Sequence, residues 1–218
     1  MTIVKEHPEF NNFHEVRHPL LLHKLSTLRN HRTNKKEFKE LVYEITLLLV
    51  YEATKELPIT HKLIKTPLET FSAPVLQGKK PVILPILRAG IGMVDAFLSL
   101  MPSARVGHIG LFRDEETLQP KLYYFKIPPN SHDRQFFVCD PMLATGGSAV
   151  ETIDRLKLNK IHRITFVCLV AAPEGVERLS KAHPDVTIFA ASLDRELNDN
   201  GFILPGLGDA GDRLFGTK

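Results

Sequence analysis

The sequence predicts an α/β protein in which a parallel sheet is flanked by helices. Two observations carry that expectation. Apolar, strand-like runs at residues 81–87, 104–111, 136–139, 163–170 and 186–191 alternate with helical stretches, and alternation of this kind calls for parallel strands joined by crossover helices. The run Phe136-Phe137-Val138-Cys139 then stops at Asp140-Pro141 and passes through paired glycines into a helix, the strand–turn–helix arrangement at which open sheets bind ligands.

Taken in order, the chain begins with His14-Glu15-Val16-Arg17-His18, a literal His-Glu-x-x-His. A zinc site of that pattern needs a helix, which alone puts both imidazoles on one face. Pro19 follows at once and biases His18 away from helical angles, and Asn11-Asn12 is turn chemistry, so an extended arm is expected and the zinc-hydrolase reading is set aside. A helix starting at Pro19 or Leu20 carries Leu21, Leu22, Leu25 and Leu28, with Lys24 and Arg29 on its solvated face. Asn34 and Glu37 form a capping-box-like start to a long amphipathic helix through Phe38, Leu41, Val42, Ile45, Leu48 and Leu49 to Lys55. Pro58, Pro67 and Pro74 punctuate residues 59–76, read as irregular or hairpin strands.

Beyond the strand at 81–87, Arg88-Ala89-Gly90-Ile91-Gly92 turns into a helix through Met93, Phe97 and Leu100. Arg88, at a strand's carboxyl end, is placed to meet an anionic group or to pair with a neighbouring carboxylate. The strand at 104–111 leads into the charged run Arg113-Asp114-Glu115-Glu116, a solvated loop of the kind that often serves as a lid, and residues 122–127 form a strand returning toward Asp140. Residues 173–181 form a helix with proline at its start. The tail, residues 201–217, looks too glycine-rich for regular structure. Gly206, Gly208 and Gly211 spell Gly-x-Gly-x-x-Gly, but Pro205 breaks any strand before them and the dinucleotide reading fails.

The stretch with the most chemistry is Asp140-Pro141-Met142-Leu143-Ala144-Thr145-Gly146-Gly147-Ser148. Paired glycines permit positive φ and turn successive N–H groups toward one point, an anion-binding nest. Ser148 is expected to cap the helix through Val150, Ile153, Leu156 and Leu158. The whole describes a phosphate cradle with a carboxylate set to meet hydroxyls or a metal beside it.

This nine-residue stretch resembles the phosphoribosyl-pyrophosphate (PRPP) signature of the type I phosphoribosyltransferases, in the form carried by the uracil phosphoribosyltransferase family. Pro-Ile-Leu-Arg-Ala-Gly and Arg-x-Glu-Glu-Thr-Leu-x-Pro are similar to that family's diphosphate-facing and flexible loops, and the likeness runs from His18-Pro19-Leu20 and Tyr51-Glu52-Ala53-Thr54 to the end. The resemblance implies one phosphoribosyltransferase domain over residues 1–218, with N-terminal helices and a C-terminal base-binding hood at about 192–218. Its implied activity is conversion of uracil and PRPP to UMP and diphosphate, in pyrimidine salvage. Asp140 and Arg113 are the implied catalytic residues. PRPP is assigned to Arg88, Arg113, Asp140, Pro141, Met142, Leu143, Ala144, Thr145, Gly146, Gly147, Ser148 and Asp209, and uracil to Ile203, Gly208, Asp209 and Ala210. Mg²⁺ is the implied cofactor, held through PRPP. The wider signature has two adjacent acids, and Pro141 in place of the second argues against a direct protein ligand there. Also implied are GTP as an activator and a homodimer or higher homo-oligomer. A pyrimidine-responsive RNA-binding regulator on the same fold is the alternative.

Composition agrees with an ordinary folded protein: 218 residues, 43% hydrophobic and 24% charged, with net charge +3. The charges are interleaved, so neither nucleic acid nor a membrane surface is an expected partner. Cys139 and Cys168 lie in apolar runs and read as buried thiols rather than a disulfide or metal site. With no apolar leader or bilayer-length run, a cytoplasmic location is expected.

Overall fold

The computed structural model describes residues 4–113 and 120–217, the side chains of Arg113 and Pro120 excepted. The N-terminal arm is a hairpin, β1 (Val4–His7) and β2 (Phe10–Val16), followed by α1 (Pro19–Arg29) and α2 (Lys35–Ala53). A second hairpin, β3 (Ile59–Lys65) and β4 (Thr70–Leu76), precedes β5 (Val82–Leu87) and α3 (Ile91–Leu100). Next come β6 (Arg105–Val106), β7 (His108–Arg113), β8 (Pro120–Lys126), β9 (Phe136–Cys139), β10 (Met142–Leu143) and α4 (Gly147–Leu158). The chain continues through β11 (Ile164–Ala171), α5 (Pro173–Ala182), β12 (Thr187–Leu193), a small hairpin of β13 (Glu196–Leu197) and β14 (Ile203–Leu204), and α6 (Ala210–Phe215).

The main sheet runs β1-β2-β12-β11-β9-β5-β7-β8. It is parallel from β2 to β7 and antiparallel at both edges, where β1 returns on β2 and β8 on β7. The helices cover both faces because the central strands are apolar on both. Phe137, Cys139, Val167 and Leu169 pack with residues of α1, α2, α3 and α6, while Phe136, Val138, Phe166 and Cys168 pack with those of α4 and α5. This alternation is the period of two expected of a strand.

From β5 the chain moves outward to β7, and from β9 it moves the other way to β11. The sheet therefore has its switch point between β5 and β9, and the crevice beyond their carboxyl ends is where such sheets bind ligands.

Local expectations hold at several ends. Pro19 opens α1 after His18, whose side chain accepts from the Leu20 N–H, and the Asn34 side chain accepts from the Glu37 N–H at the start of α2. The His-Glu-x-x-His run is extended. Glu15 is buried in β2 and holds the His7 ring at 2.8 Å, while His14 stacks on Phe189. Among the described residues no three His, Cys, Asp or Glu side chains cluster as metal ligands.

Four expectations are corrected. The strand at 104–111 breaks at Gly107, where a Cβ would stand 2.9 Å from the Lys126 carbonyl oxygen. Residues 120–126 lie at the sheet edge, hydrogen-bonded to β7 rather than to the Asp140 strand. The tail is not irregular: Asp209 caps α6 by accepting from the Asp212 N–H, and Gly216 ends it with φ 69°, so its flanking residues act as helix signals. Arg29 is not merely solvated. Its guanidinium grips Asp194 through Nη1 at 2.7 Å and Nη2 at 2.5 Å and also donates to the Gly206 carbonyl oxygen at 2.7 Å.

That cluster pins the tail to the body. The Asp194 side chain is 1% exposed and also accepts from the Gly206 N–H and the Ser192 hydroxyl. Removing Arg29 leaves a buried carboxylate without its counter-charge. Arg29→Ala is expected to cost about 3 kcal/mol and to lower Tm by roughly 6–12 °C. Denaturant and thermal unfolding check this; an unchanged midpoint would mean that the pair does not hold the tail.

Candidate active site

Three loops meet at the switch point, and glycine is what lets them approach. Arg88-Ala89-Gly90 leaves β5, and a Cβ on Gly90 would lie 2.5 Å from the Cys139 carbonyl oxygen at the end of β9. Gly211, in the first turn of α6, brings its own Cβ position within 4.0 Å of the Ala89 Cβ. Asp140 follows β9, its N–H still donating to the Val167 carbonyl oxygen at 3.2 Å.

The chain beyond Asp140 is held as tightly. The Pro141 carbonyl oxygen accepts from the N–H groups of Leu169 and Val170, β10 pairs with the end of β11, and the Leu143 carbonyl oxygen accepts from the Ala172 N–H. Pro141 and Leu143 are buried and serve as supports. The turn then opens. Thr145 is exposed, Gly146 takes φ 76° as the residue before α4, and α4 begins at Gly147. Ser148 is therefore inside the first turn and is not the cap: the αL residue Gly146 takes that place because only glycine adopts the angle without strain. Asp140 and residues 142–149 line a cleft of about 90 Å³. Here the N-terminal dipole of α4 and its free N–H groups face a potential anion.

Asp140 is the electrostatic centre. Burial raises its pKa to about 7, with the nearby negative charge of Asp209 adding to the rise and the Met142 N–H, 3.3 Å from Oδ1, opposing it. Asp209 itself is exposed at the start of α6. Arg88 is exposed too and has no ion-pair partner among the described residues, so of its two readings the carboxylate pairing is not seen. Arg113 ends β7, and its side chain, with residues 114–119, lies outside the described residues.

The tail forms the other wall. Ile203 and Ala210 are buried in the core, so their side chains are not free to meet a ligand, while Gly208 is exposed with φ 80°. Arg213 ties this wall to the α1–α2 turn: it donates to the carbonyl oxygens of Leu207 and Asn30 and lies 4.2 Å over the Phe38 ring. Sequence reasoning missed Asp194, Arg213 and the α5 residues behind the cradle, since each acts across a long stretch of chain. A second cleft, about 260 Å³ and walled by Lys79, Lys80, Gln135 and Arg163, lies at the amino ends of the strands, far from the acid and the glycine turn.

The mostly parallel sheet with a crevice at its switch point is the fold of the type I phosphoribosyltransferases among solved structures. An adenine phosphoribosyl transferase from Trypanosoma brucei has a TM-score of 0.60 at 11% identity, covering 94% of this chain and 90% of its own, a likeness of fold. The AQ2163 protein from Aquifex aeolicus has a TM-score of 0.90 at 35% identity, over 94% and 99%. The family model for uracil phosphoribosyltransferase matches residues 15–217. Uracil phosphoribosyltransferases of Streptococcus salivarius and Lactococcus lactis are 59% and 57% identical, over 94% and 95% of this chain and 99% and 100% of theirs. The chain belongs to the uracil phosphoribosyltransferase family.

The raised pKa of Asp140 makes a pH test possible. The folded protein holds this proton up to about pH 7, whereas an unfolded chain releases it near 3.8. Between those values the folded state binds more protons, so this carboxyl makes stability fall as pH rises, and its cost is fully present above about 7. Asp140→Asn removes that cost. In substrate-free protein it is expected to match wild type at pH 4 and to exceed it in Tm by roughly 2–4 °C at pH 8, about 1 kcal/mol after allowing for the open rim of the cleft. A lower Tm for the variant at pH 8 would contradict the burial argument.

Proposed function

We propose that this protein transfers the phosphoribosyl group of PRPP to N1 of uracil, giving UMP and diphosphate. The observation that carries the reading is the glycine cradle and acid at the switch point, in a chain of the uracil phosphoribosyltransferase family. The new bond joins N1 to the anomeric carbon. The carbon–oxygen bond to diphosphate breaks with its electron pair leaving on the diphosphate, and the N1 proton of uracil passes to the departing diphosphate or to solvent. The ribose ring gains positive charge on the way, so positioning and electrostatics should dominate.

In this proposal the turn from Ala144 to Ser148 holds the 5′-phosphate, and Asp140 takes the ribose hydroxyls with its charge toward the ring. Arg88 and Arg113 offset the diphosphate. Ile203, Gly208 and Ala210 present backbone donors and acceptors to the base, with Asp209 alongside. Mg²⁺ held through the diphosphate would have Asp140 and Asp209 as two carboxylates within electrostatic reach, and among the described residues no three ligand side chains cluster to hold it directly. Bound there, it would neutralise charge on the leaving group.

The remaining parts of the proposal have their own supports. In this proposal GTP is an activator, and the second cleft, lined by Lys80 and Arg163 with Lys79 already paired to Asp133, would offer its triphosphate positive charge. A homodimer or larger homo-oligomer would cover the β3–β4 hairpin, which leaves Leu63 and Leu68 in solvent and, among the described residues, forms a two-stranded sheet of its own. A cytoplasmic location suits two buried free thiols. Among the described residues, no helix is long and apolar enough to cross a membrane.

Base choice tests the reading. A wall of fixed backbone groups suits the acceptor, donor, acceptor edge of uracil and opposes that of cytosine, and sites built this way discriminate by roughly 10⁴ or more. With PRPP fixed, kcat/KM should be high for uracil and 5-fluorouracil and negligible for cytosine and hypoxanthine. Equal use of cytosine would remove the base assignment, and preference for hypoxanthine would remove the activity itself.

Asp140→Asn should cut kcat by roughly 10²–10³, as loss of one preorganised electrostatic contact does. Arg113→Ala should raise the KM for PRPP with little change in Tm; steady-state kinetics beside a melting curve separates this from a structural role.

A further inference from the structure

The loop that forms the glycine cradle is pressed from behind by the first turn of α5. Gly175 is buried in that turn, and a Cβ on it would fall 2.3 Å from the Ala144 carbonyl oxygen and 2.7 Å from that of Leu143. The approach is reciprocal: a Cβ on Gly146 would lie 2.9 Å from the Gly175 carbonyl oxygen and 3.2 Å from the Arg178 Cβ. One turn on, Arg178 donates from Nη1 to the Thr145 carbonyl oxygen at 3.4 Å. Backbone meets backbone here without slack, so any added atom has to displace one side.

Helix α5 is the side that cannot yield. Val176 and Leu179 are buried in the core, and the chain just before the helix is hydrogen-bonded from the Ala172 N–H to the Leu143 carbonyl oxygen at 2.9 Å. Glu174 accepts the Leu197 N–H at 3.0 Å, and Leu197 pairs with Ile203 in the opposite wall of the crevice. One turn of helix thus touches both the cradle and the wall across from it.

We propose that Gly175 is a positioning residue for the 5′-phosphate of PRPP: its bare backbone sets the depth at which the Ala144–Gly146 segment sits, and Arg178 steadies that segment from outside. The inference rests on reading the cradle as the 5′-phosphate site. A methyl at residue 175 pushes the loop, and the N–H groups lose the distance and angle on which their hydrogen bonds depend.

The test uses the full chain and two probes that occupy different ends of the substrate, ribose 5-phosphate and diphosphate, titrated separately by calorimetry. Gly175→Ala should weaken ribose 5-phosphate binding and raise the KM for PRPP by about tenfold or more, with diphosphate affinity and the KM for uracil within about twofold of wild type. Arg178→Ala should weaken ribose 5-phosphate by a few-fold, on the order of one lost hydrogen bond, and Arg178→Lys should recover part of it. Equal losses for both probes, or a lower Tm with ribose 5-phosphate affinity unchanged, would reduce Gly175 to a packing role and overturn the proposal. If Gly175→Ala does not fold, the exposed Arg178 decides: unchanged ribose 5-phosphate affinity in Arg178→Ala overturns it equally. Wild-type protein that makes UMP but does not bind ribose 5-phosphate would overturn the cradle assignment itself.

Discussion

Everything at the site depends on β9 being hydrogen-bonded along both edges. Phe136 to Cys139 pair in parallel with β5 on one side and β11 on the other, and both faces are buried. A four-residue strand held this way has one freedom left, which is where its chain leaves the sheet. It leaves at Asp140, whose N–H is still tied to Val167. The acid is therefore placed by the backbone ladder, and the cost of its desolvation is met by the packing of the whole sheet.

The second constraint is electrostatic. Asp140 and Asp209 come from loops far apart in sequence and meet as like charges, which raises the pKa of Asp140 on top of the effect of burial. Such an arrangement is unfavourable in the empty protein. In the proposed reaction it would become favourable as positive charge enters, on a cation carried by a phosphate ester or on a ribose ring losing its leaving group. Strain of this electrostatic kind is a common property of functional sites. Arg29 and Asp194 help to hold the opposite wall by fixing Gly206, so a buried ion pair outside the crevice contributes to its shape.

The His-Glu-x-x-His stretch teaches the reverse lesson. The residues of a metal site are present in the right order, but a strand puts His14 and Glu15 on opposite faces, where one stacks on Phe189 and the other holds His7. Spacing has chemical meaning only once the backbone period is known.

What the sequence by itself determined was local: the apolar runs that become buried strands, the proline and asparagine that start α1 and α2, and the acid–glycine turn of residues 140–148. Each is written in neighbouring residues, because strand period, capping and positive φ are short-range properties. The family resemblance was legible for the same reason, being carried by contiguous motifs. Tertiary structure alone decided which loops face one another. It turned Arg29 from a surface charge into the anchor of the tail, put Gly146 rather than Ser148 before α4, and folded a glycine-rich tail into a capped helix against Ala89. It also set Gly175 against the carbonyl oxygens of Leu143 and Ala144. The caps at Gly146, Asp209 and Gly216 are local signals, but the contacts of Arg29, Ala89 and Gly175 join segments tens of residues or more apart, and packing and burial fix their cost and gain.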